Sequence, residues 1–447
     1  MEQGQTTDIL FTTNTSPRYN FSISFKGIRS LGKYQHVLTS GGQFRFTSNY
    51  RSPNERYFLR FHYENQRSDQ EENGGLTAES VDDFESEDKE FDERSKLSVE
   101  YEDADNGFNS KRYFLDHFYK LTPKNDTLSR FPLSVGHRFE YQSKTNFFSH
   151  TVAYAPYGDL VAEATTVSDR TELRTTENSF YGRLDSNLLG QFEAKWTQYN
   201  YKYSIVDTLV TANQFNKHIE ANESALSGSW RKKIANIQLQ ASFSRSLVGI
   251  RGGDRFSVAA EVPISQKIVL KAGMNRSVQH PGFLFERYQS DYTSFDWQLD
   301  PKNIRTTQLY AWANIPYVGK LSGSLSNIEN HSYFEKTPSG DPTVQSLLVN
   351  PAQADASIRH LQLSWSQEFR FWRFALDNRV MYQNVAQDTA ALNVPEIVTR
   401  NTFYYSDRLF EGRMFLQTGV TLNYFTKSYM NGYHPIIGEF YSQNDTQ

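Results

Sequence analysis

The sequence predicts an all-β chain that folds as one antiparallel up-and-down transmembrane β-barrel of about twenty strands. Three observations predict this fold. Apolar and polar residues alternate over long stretches, short connections alternate with long ones, and the composition is polar on average but rich in aromatic residues.

The stretch Arg413–Phe425 shows the strand pattern most clearly. From Met414 to Tyr424 every second residue except Thr418 is apolar or aromatic, and the residues between them are mostly polar or small. A period of two places these sets on opposite faces of one β-strand. The stretch is longer than the roughly 5–6 residues of soluble strands, and its length is typical of a strand that spans an outer membrane.

Further strand candidates follow along the chain in pairs, and a short turn joins the members of each pair. The residues Asp105-Asn106-Gly107 provide the strongest of these turn signals. The predicted strands are Gln5–Thr13, Tyr19–Lys26, Gln43–Ser48, Tyr57–Glu64, Lys96–Glu102, Arg112–Leu121, Phe131–Gln142, Phe147–Ala155, Thr176–Asp185, Gln191–Tyr203, Lys217–Trp230, Ile234–Arg245, Gly253–Val262, Lys267–Arg276, Asn303–Asn314, Lys320–Asn330, Ser357–Ser366, Phe371–Gln383, Glu396–Ser406 and Arg413–Phe425.

The connections between pairs are longer than the turns within them. Outer-membrane barrels show this alternation because their periplasmic turns are short and their extracellular loops are long. We therefore predict that the long loops lie at one rim and the Asp105–Gly107 turn at the other. The predicted long connections are Gly27–Gly42, Asn65–Ser95, Pro156–Thr175, Ser277–Lys302, His331–Ala356 and Asn384–Pro395.

The composition supports one membrane domain. Of 447 residues, 38% are hydrophobic and 15% are aromatic, and no run of about 18 apolar residues exists that could form a membrane helix. A string of β-sandwiches is the alternative, because sandwich strands also alternate. Soluble strands are shorter, however, and no Pro/Gly/Ser-rich linker separates domains, so residues 1–447 are predicted to form a single barrel.

The net charge and the cysteine content argue against nucleic-acid binding and thiol chemistry. The net charge of −4 does not suggest a nucleic-acid partner, and the lack of cysteine removes disulfides and thiolate chemistry. Met1–Gln5 has neither the basic start nor the apolar core of a signal peptide, although an outer-membrane protein needs one.

The chain ends predict an open barrel. The first strand runs towards the periplasm, and Ser428–Gln447 is loop-like with a weak strand at Ile436–Ser442. We therefore expect strands to be missing at both ends. We also expect no continuous ladder between Gln5–Thr13 and Arg413–Phe425, which Ile436–Ser442 would bridge only loosely.

Four stretches, Thr15–His36, Arg56–Gln66, Phe114–Tyr119 and Asn423–Asp445, resemble the putative porin family of Bacteroidota outer membranes. The resemblance extends over nearly the whole chain. It implies a signal-bearing outer-membrane β-barrel with an N-terminal segment and C-terminal strands beyond this sequence. It implies no catalytic residue, and the family name says little about the solute.

The sequence contains no motif for catalysis, phosphate binding or cofactor binding. Ten histidines are scattered without metal-ligand spacing. Asp116 and His117 are adjacent in a strand and so face opposite sides. We therefore expect no catalytic residue and no cofactor.

Charged residues opposite the apolar sets are the candidate pore lining, because a charge facing lipid at mid-membrane costs about 2–4 kcal/mol. The alternative is that these charges pair across the lumen and fill it. Arg60, Arg138, Arg373 and Arg379 should point inward, whereas Leu59, Phe139, Leu376 and Val420 should face lipid. The predicted pore-lining residues are Arg45, Arg60, His62, Arg112, Asp116, Arg138, Glu140, Arg183, Arg255, Glu261, Lys271, Arg373, Asp377 and Arg379.

The loop Asn65–Arg94 is strongly acidic, with twelve acids and one base, Lys89, between Asp69 and Glu93. Carboxylates are hard oxygen ligands, so a divalent cation that bridges lipopolysaccharide phosphates is one hypothesis. A solvated loop is the other. The candidate ligands are Asp82, Asp83, Glu85, Glu87 and Asp88.

These features predict a bacterial outer-membrane channel that passes small hydrophilic solutes passively. The alternative is a scaffold or subunit barrel of a larger outer-membrane transport, secretion or assembly complex, and an outer-membrane hydrolase is a third hypothesis. The expected partners are outer-membrane lipid and lipopolysaccharide, small hydrophilic solutes and, under the alternative, other outer-membrane proteins.

Overall fold

Strand pairing dominates the computed structural model, which describes residues 4–86, 88–122, 132–161, 165–206, 218–249, 251, 253–265, 267–337 and 347–444. Eighteen strands form one antiparallel sheet in which each strand pairs with the next along the chain. Within these ranges, no helix has both the length and the apolar character needed to cross a membrane.

The strands are numbered in chain order and the helices are few and short. The strands are β1 (Gln5–Ser16), β2 (Tyr19–Ser30), β3 (Thr39–Arg51), β4 (Tyr57–Glu72), β5 (Ala104–Lys120), β6 (Leu133–His150), β7 (Val167–Ser186), β8 (Gly190–Val206), β9 (His218–Ile234), β10 (Ile237–Val248), β11 (Asp254–Pro263), β12 (Val269–Gln279), β13 (Arg287–Gln289), β14 (Asp296–Gln298), β15 (Ile304–Ile315), β16 (Gly319–Glu329), β17 (Ser332–Lys336), β18 (Val349–Gln353), β19 (Ile358–Phe371), β20 (Phe374–Ala386), β21 (Ile397–Leu409), β22 (Met414–Phe425), β23 (Gly432–His434) and β24 (Glu439–Ser442). The α-helices are α1 (Ala78–Glu85) and α2 (Phe283–Glu286), and 3-10 helices span Lys89–Asp92, Arg94–Lys96 and Ala155–Tyr157.

The predicted alternation of short and long connections is confirmed. At one end of the sheet the strands are joined by short turns, such as 187–189, 235–236 and 372–373. Trp372 occupies one of these two-residue turns with a φ of 53°, a value that a tight hairpin turn requires. The opposite end carries the long connections, including 73–103, 280–303 and 330–357.

Two of the predicted strands are wrong, so the sheet has eighteen strands and not the predicted number of about twenty. Lys96–Glu102 does not join the sheet, and its first residue ends a 3-10 helix. The predicted strand Phe147–Ala155 begins as the continuation of β6, which runs without interruption to His150. The polar residues in the middle of β6 broke the apolar pattern, but its backbone ladder with β5 continues through them.

The predicted turn at Asp105–Gly107 is also wrong. These residues lie in β5 opposite Asp69, Gln70 and Glu71 of β4, and therefore at the same end as the acidic loop. The prediction that the turn and the acidic loop occupy opposite rims fails for this reason.

Two long-range contacts explain why this turn signal is overridden. The Asn106 side chain donates a hydrogen bond to the Pro435 carbonyl oxygen over 2.6 Å. The Phe147 ring covers Gly107 so closely that a Cβ there would come within 2.2 Å of it. Neither partner is near in sequence, so the local pattern could not show them.

The acidic loop is shorter than predicted because β4 continues to Glu72. The alternation of apolar residues in β4 ends near Tyr63, but the ladder with β5 runs on to the pair Glu72 and Ala104. Backbone hydrogen bonds keep this extension in the sheet although its side chains are polar.

The two edge strands of the eighteen-stranded sheet, β1 and β22, each have one edge that is unpaired within the described residues. Among the described residues, β1 pairs only with β2 and β22 only with β21, and no ladder joins β1 to β22. The expectation that these strands do not pair directly is confirmed. The segment Ile436–Ser442 does not bridge them, since Ile436 and Ile437 are buried and β24 pairs with β17 and β23.

The long connections fold together into a structure that we call the loop cap, formed by 73–103, 151–161, 280–303, 330–337, 347–357 and 426–444. It contains the β13–β14 hairpin and a four-stranded sheet in the order β18-β17-β24-β23. A cluster of buried residues joins it to the ends of β5, β6 and β7: Tyr101, Ala104, Phe148, Tyr157, Val167, Tyr288, Tyr292, Phe295, Trp297, Phe334, Val349, Ile436 and Ile437.

Candidate functional site: the polar inner face and the loop cap

The pairing registers divide the strand side chains into two faces. One face contains the row Arg60, Asp116 and Arg138, which are direct partners across β4, β5 and β6. We call it the inner face, because Phe148 and Val167 lie on it and are buried under the loop cap.

The opposite, outer face is apolar and exposed. Its side chains include Ile9, Phe243 and Val420, which are 59%, 50% and 75% exposed. Such a band of exposed apolar residues around a sheet is suited to lipid rather than to water.

The registers place thirteen of the fourteen residues predicted to line the pore together on the inner face. They are Arg45, Arg60, His62, Arg112, Asp116, Arg138, Glu140, Arg183, Arg255, Glu261, Lys271, Asp377 and Arg379. Arg373 differs, because it lies in the turn between β19 and β20 and pairs with Asp407 at 2.9 Å. Leu59, Phe139, Leu376 and Val420 all lie on the outer face.

Several of the inner-face charges form ion pairs along the wall. Arg112 binds Glu140 through two hydrogen bonds of 2.9 and 2.7 Å, the bidentate geometry that suits a guanidinium. Arg183 donates through two nitrogens to a single carboxylate oxygen of Glu193, at 3.2 and 2.7 Å. Looser pairs join Arg45 to Glu64 at 3.6 Å, Lys271 to Glu261 at 3.9 Å, and Arg379 to Asp377 at 3.5 Å.

A buried hydrogen bond organises the wall around Asp116. The hydroxyl of Tyr181 donates to Asp116 over 2.8 Å, and Arg138 lies 3.9 Å from the same carboxylate. The Tyr181 ring lies over Gly136, its direct ladder partner, where a Cβ would approach the ring to 2.3 Å. A glycine is therefore needed to admit this ring.

The carboxylate of Asp169 ties the loop cap to the inner face of β7. Asp169 is only 2% exposed. It accepts hydrogen bonds from the Asp291 backbone amide at 2.8 Å, from the Tyr288 hydroxyl at 3.3 Å, and from the Ser290 hydroxyl. A buried carboxylate with three donors from one connection fixes that connection to the wall.

Two aromatic contacts reinforce this attachment. The Tyr203 hydroxyl donates to the Arg287 carbonyl oxygen at 3.1 Å, and the Tyr203 ring stacks on Phe283 with a centroid distance of 5.0 Å. The Arg251 guanidinium lies 3.8 Å from the centroid of the Phe283 ring and forms an ion pair with Glu286. The connection 280–303 is thus the hub of the loop cap.

A cavity of about 420 Å³ remains between the hub and the inner face of β5–β8. Its walls are both polar and aromatic, with Lys144 and Thr171 on the strands and Phe285 on the hub. At one side of the cavity, the Tyr288 hydroxyl donates to the Ile436 carbonyl oxygen at 3.0 Å. This hydrogen bond links the hub to the connection 426–444 of the loop cap.

His434 lies at the centre of the loop cap. It is 3% exposed, and its ring lies against the rings of Phe295 and Tyr157 at tilts of 45° and 52°. One ring nitrogen is 2.9 Å from the Leu347 carbonyl oxygen. Burial penalises the charged imidazolium and lowers the pKa of His434 to about 4. The cap core therefore holds a neutral histidine at physiological pH.

The sequence analysis did not identify the loop cap, although a signal was present. The connection between β12 and β15 contains Phe283, Phe285, Tyr288, Tyr292, Phe295 and Trp297. A loop so dense in aromatic residues is unlike a solvated segment, and it indicates that the connection is buried.

The acidic loop forms a helix rather than a ligand cage. Asp82, Asp83 and Glu85 lie on α1, whose N-cap Thr77 accepts from the Ser80 amide at 3.3 Å. In the part of the chain that the structure describes, no three His, Asp or Glu side chains are grouped so as to hold a metal. Asp88 accepts from the Glu90 amide at 3.0 Å, and Glu87 lies outside the described residues. The cation hypothesis stays a prediction.

A serine and a histidine meet at the cap end of β8 and β9. The Ser204 hydroxyl oxygen is 3.0 Å from Nδ1 of His218. Ser204 is only 5% exposed, and the nearby acid Glu220 forms an ion pair with Lys202 at 2.5 Å. A nucleophile must reach its substrate, so this contact gives the hydrolase hypothesis no support.

Solved structures of outer-membrane receptors share the fold at low sequence identity. A mutant of the ferric enterobactin receptor PfeA from Pseudomonas aeruginosa is 11% identical, with a TM-score of 0.63 over 99% of this chain and 68% of that one. The siderophore receptor PirA from Acinetobacter baumannii is 9% identical, with a TM-score of 0.60 over 90% of this chain and 63% of that one. The copper transporter OprC is 10% identical, with a TM-score of 0.59 over 90% and 64%.

No curated protein matches the chain. The family described as Putative porin matches residues 1–447. The match covers every strand of the sheet and the whole loop cap, and it agrees with a β-barrel whose outer face is apolar. The chain therefore belongs to the putative porin family, and its fold is that of an outer-membrane β-barrel.

Proposed function

We propose that the protein passes small hydrophilic solutes across an outer membrane passively, along the inner face of its barrel. The observation that carries this proposal is the division of the sheet into a charged, hydroxyl-rich inner face and an outer face with an exposed apolar band. Water and polar solutes are stabilised by the first face, and lipid by the second.

The loop cap gives this passage its selectivity. Its hub is held against the inner face by Asp169 and Tyr203 and against the β10–β11 connection by Arg251, so the cap narrows the mouth at the long-loop end. The solved relatives in fold include siderophore receptors and a copper transporter. A folded cap over a polar wall is consistent with selective entry rather than with a wide open pore.

Conductance in planar lipid bilayers tests this proposal. The purified full chain should produce discrete conductance steps, and deleting hub residues 288–298 should enlarge them. The matched control is a deletion of the helix residues 81–85, which follow the buried Ser80, and it should leave the step size nearly unchanged. A folded protein that inserts but never conducts would overturn the proposal.

A subunit role in a larger outer-membrane complex is the second candidate. The open edges of β1 and β22 favour it, because a strand edge in lipid leaves backbone groups without partners at several kcal/mol each. Strands from another chain would satisfy them, as would further strands of the same protein outside this sequence. Cysteines introduced at Thr7 and Thr421 of this cysteine-free chain would then crosslink to a partner protein in membranes, whereas a self-sufficient channel would give no such product.

The expected environment follows from the outer face. Lipid acyl chains would cover the apolar band, and lipopolysaccharide would surround the long-loop end, where the acidic loop could meet its phosphates through divalent cations. Lipopolysaccharide binding that is lost with chelator and with neutralisation of Asp82 and Asp83 would support this contact.

A further inference from the structure

A row of small hydroxyl side chains crosses the inner face between two bases. Lys195 of β8 is the ladder partner of Ser227, Ser227 of Ser244, and Ser244 of Arg255. All four side chains project from the same face. The Cα atoms of Lys195 and Arg255 are three strand spacings apart, about 14 Å, so their long side chains can reach towards each other over the two serines.

A second row of hydroxyls lies beside the first. Ser229 and Ser242 are direct ladder partners, and Ser257 continues the row. These residues, together with Lys195 and Arg255, line a concavity of about 420 Å³. We call this concavity the hydroxyl trough.

The hydroxyls of the trough can donate to a solute. The Ser227 hydroxyl donates to the Ser244 oxygen at 3.0 Å, which leaves the Ser244 proton available. Each serine has one donor and two acceptor sites. The Ser257 hydroxyl donates to Asn275 at 2.8 Å, so the hydroxyls of the trough that donate to no acceptor among the described residues are those of Ser229, Ser242 and Ser244.

The charge of the trough is uncompensated. Its acid, Glu193, is already bound by Arg183 at 2.7 Å. Neither Lys195 nor Arg255 has an ion-pair partner among the described residues. On the inner face of β8–β12 the basic residues are Lys195, Arg231, Lys233, Arg255 and Lys271, and the acidic residues are Glu193, Glu223 and Glu261. This surface is basic, although the whole chain has a net charge of −4.

We propose that the hydroxyl trough binds an oxyanion, a carboxylate or phosphate group, and that the protein favours small anionic solutes. The inference rests on the proposed function and names its solute class. Lys195 and Arg255 supply the charge, and the Ser244 hydroxyl, which keeps its own proton, donates a hydrogen bond to an anion oxygen. Bases that have no acid partner raise the local concentration of anions in a narrow polar passage.

Ion selectivity of the full chain in a bilayer is the first test. With a potassium chloride gradient, the reversal potential should show a preference for chloride, and phosphate or citrate should reduce the current. The double variant Lys195→Gln/Arg255→Gln should lose most of this block. The matched control, Lys320→Gln/Arg400→Gln, removes two bases of the inner face outside the trough and should retain it. Cation selectivity, or an equal loss of block in both variants, would overturn the inference.

Calorimetric titration of the purified protein with phosphate and with citrate is the second test. Binding should weaken at least tenfold in the Lys195→Gln/Arg255→Gln variant and several-fold in Ser244→Ala, which keeps the charge. A preference for one probe distinguishes phosphate from carboxylate recognition. If the protein does not conduct but its variants lose phosphate or citrate binding as described, the proposed channel function is wrong and the anion site is supported. If the wild type binds neither probe more tightly than the first variant, the site is disproved.

Discussion

Tyr181 shows how single residues determine the inner wall. Its ring occupies the space above Gly136, and its hydroxyl reaches the buried carboxylate of Asp116. A hydroxyl that is buried and bonded to a carboxylate stabilises the fold by about 1.5–3 kcal/mol. The wall is thus assembled from a small residue, an aromatic ring and a charge on three adjacent strands.

Replacing Gly136 with valine should displace the Tyr181 ring and break its hydrogen bond to Asp116. Overpacking of this kind destabilises a protein by about 1–3 kcal/mol. Denaturant unfolding in detergent would measure the change. Gly182→Ala is the control, since a Cβ at Gly182 meets nothing within 4 Å. Equal stability of the two variants would show that the Tyr181 contact contributes nothing.

His434 should make the loop cap sensitive to acid. Its pKa is about 4 in the folded cap, against about 6.5 when exposed, so the unfolded cap binds the additional proton. Stability is therefore unaffected above pH 6.5, falls as the pH drops from 6.5 to 4, and is lowered by about 3 kcal/mol at most. Hydrogen exchange of the cap at pH 7 and pH 5 would detect the loss.

The variant His434→Phe isolates this effect, because phenylalanine fills the same space without titrating. The difference between the pH profiles of the wild type and the variant is due to His434, because all other titrating groups are the same in both proteins. Identical profiles for wild type and variant would contradict the prediction.

At the scale of elements, the hub 280–303 depends on Asp169. Asp169→Ala should leave the Ser290 hydroxyl and the Asp291 amide without their acceptor, whereas the Tyr288 hydroxyl keeps the Ile436 carbonyl oxygen. The cost to the attachment of the hub is about 2–5 kcal/mol. Exchange of the hub amides should accelerate. The control is Asp185→Ala, on the same face of β7 near its other end, which should leave the exchange of the hub amides unchanged. If Asp185→Ala accelerated hub exchange as much as Asp169→Ala, the attachment of the hub through Asp169 would be contradicted.

The alternation of connections predicts which elements lie outside the cell. The chain has no cysteine, so single cysteines at Glu79 in α1 and Asn236 in the β9–β10 turn can be labelled without background. A membrane-impermeant maleimide added to intact cells should label the first and not the second. Labelling of position 236 alone would invert the topology.

At the scale of the whole molecule, the two faces of the sheet separate lipid from water. Leu309 and Gln308 are neighbours in β15, on the outer and inner face respectively. Leu309→Arg should destabilise the folded protein in bilayers by about 2–4 kcal/mol, whereas Gln308→Arg should have little effect. Reversible unfolding from lipid vesicles measures both, and a larger cost at Gln308 would reverse the assignment of the faces.

The order of strands, the alternation of connections and the separation of faces were predictable from the sequence. They depend on a period of two and on turn residues, which are local properties of the chain. Strand β22 shows this, since its observed range Met414–Phe425 nearly equals the prediction. The same local signals misassigned Asp105–Gly107, where Pro435 and Phe147 outweigh the turn preference.

The sequence by itself determined a β-barrel strand pattern and which charges share a face, because in an alternating strand the face of each side chain follows from its position. The tertiary structure decided the loop cap, the attachment at Asp169 and the hydroxyl trough. Each joins residues far apart in the chain, such as Asp169 with Asp291 or Lys195 with Arg255. Their contacts depend on strand register and loop packing, which only the folded sheet specifies.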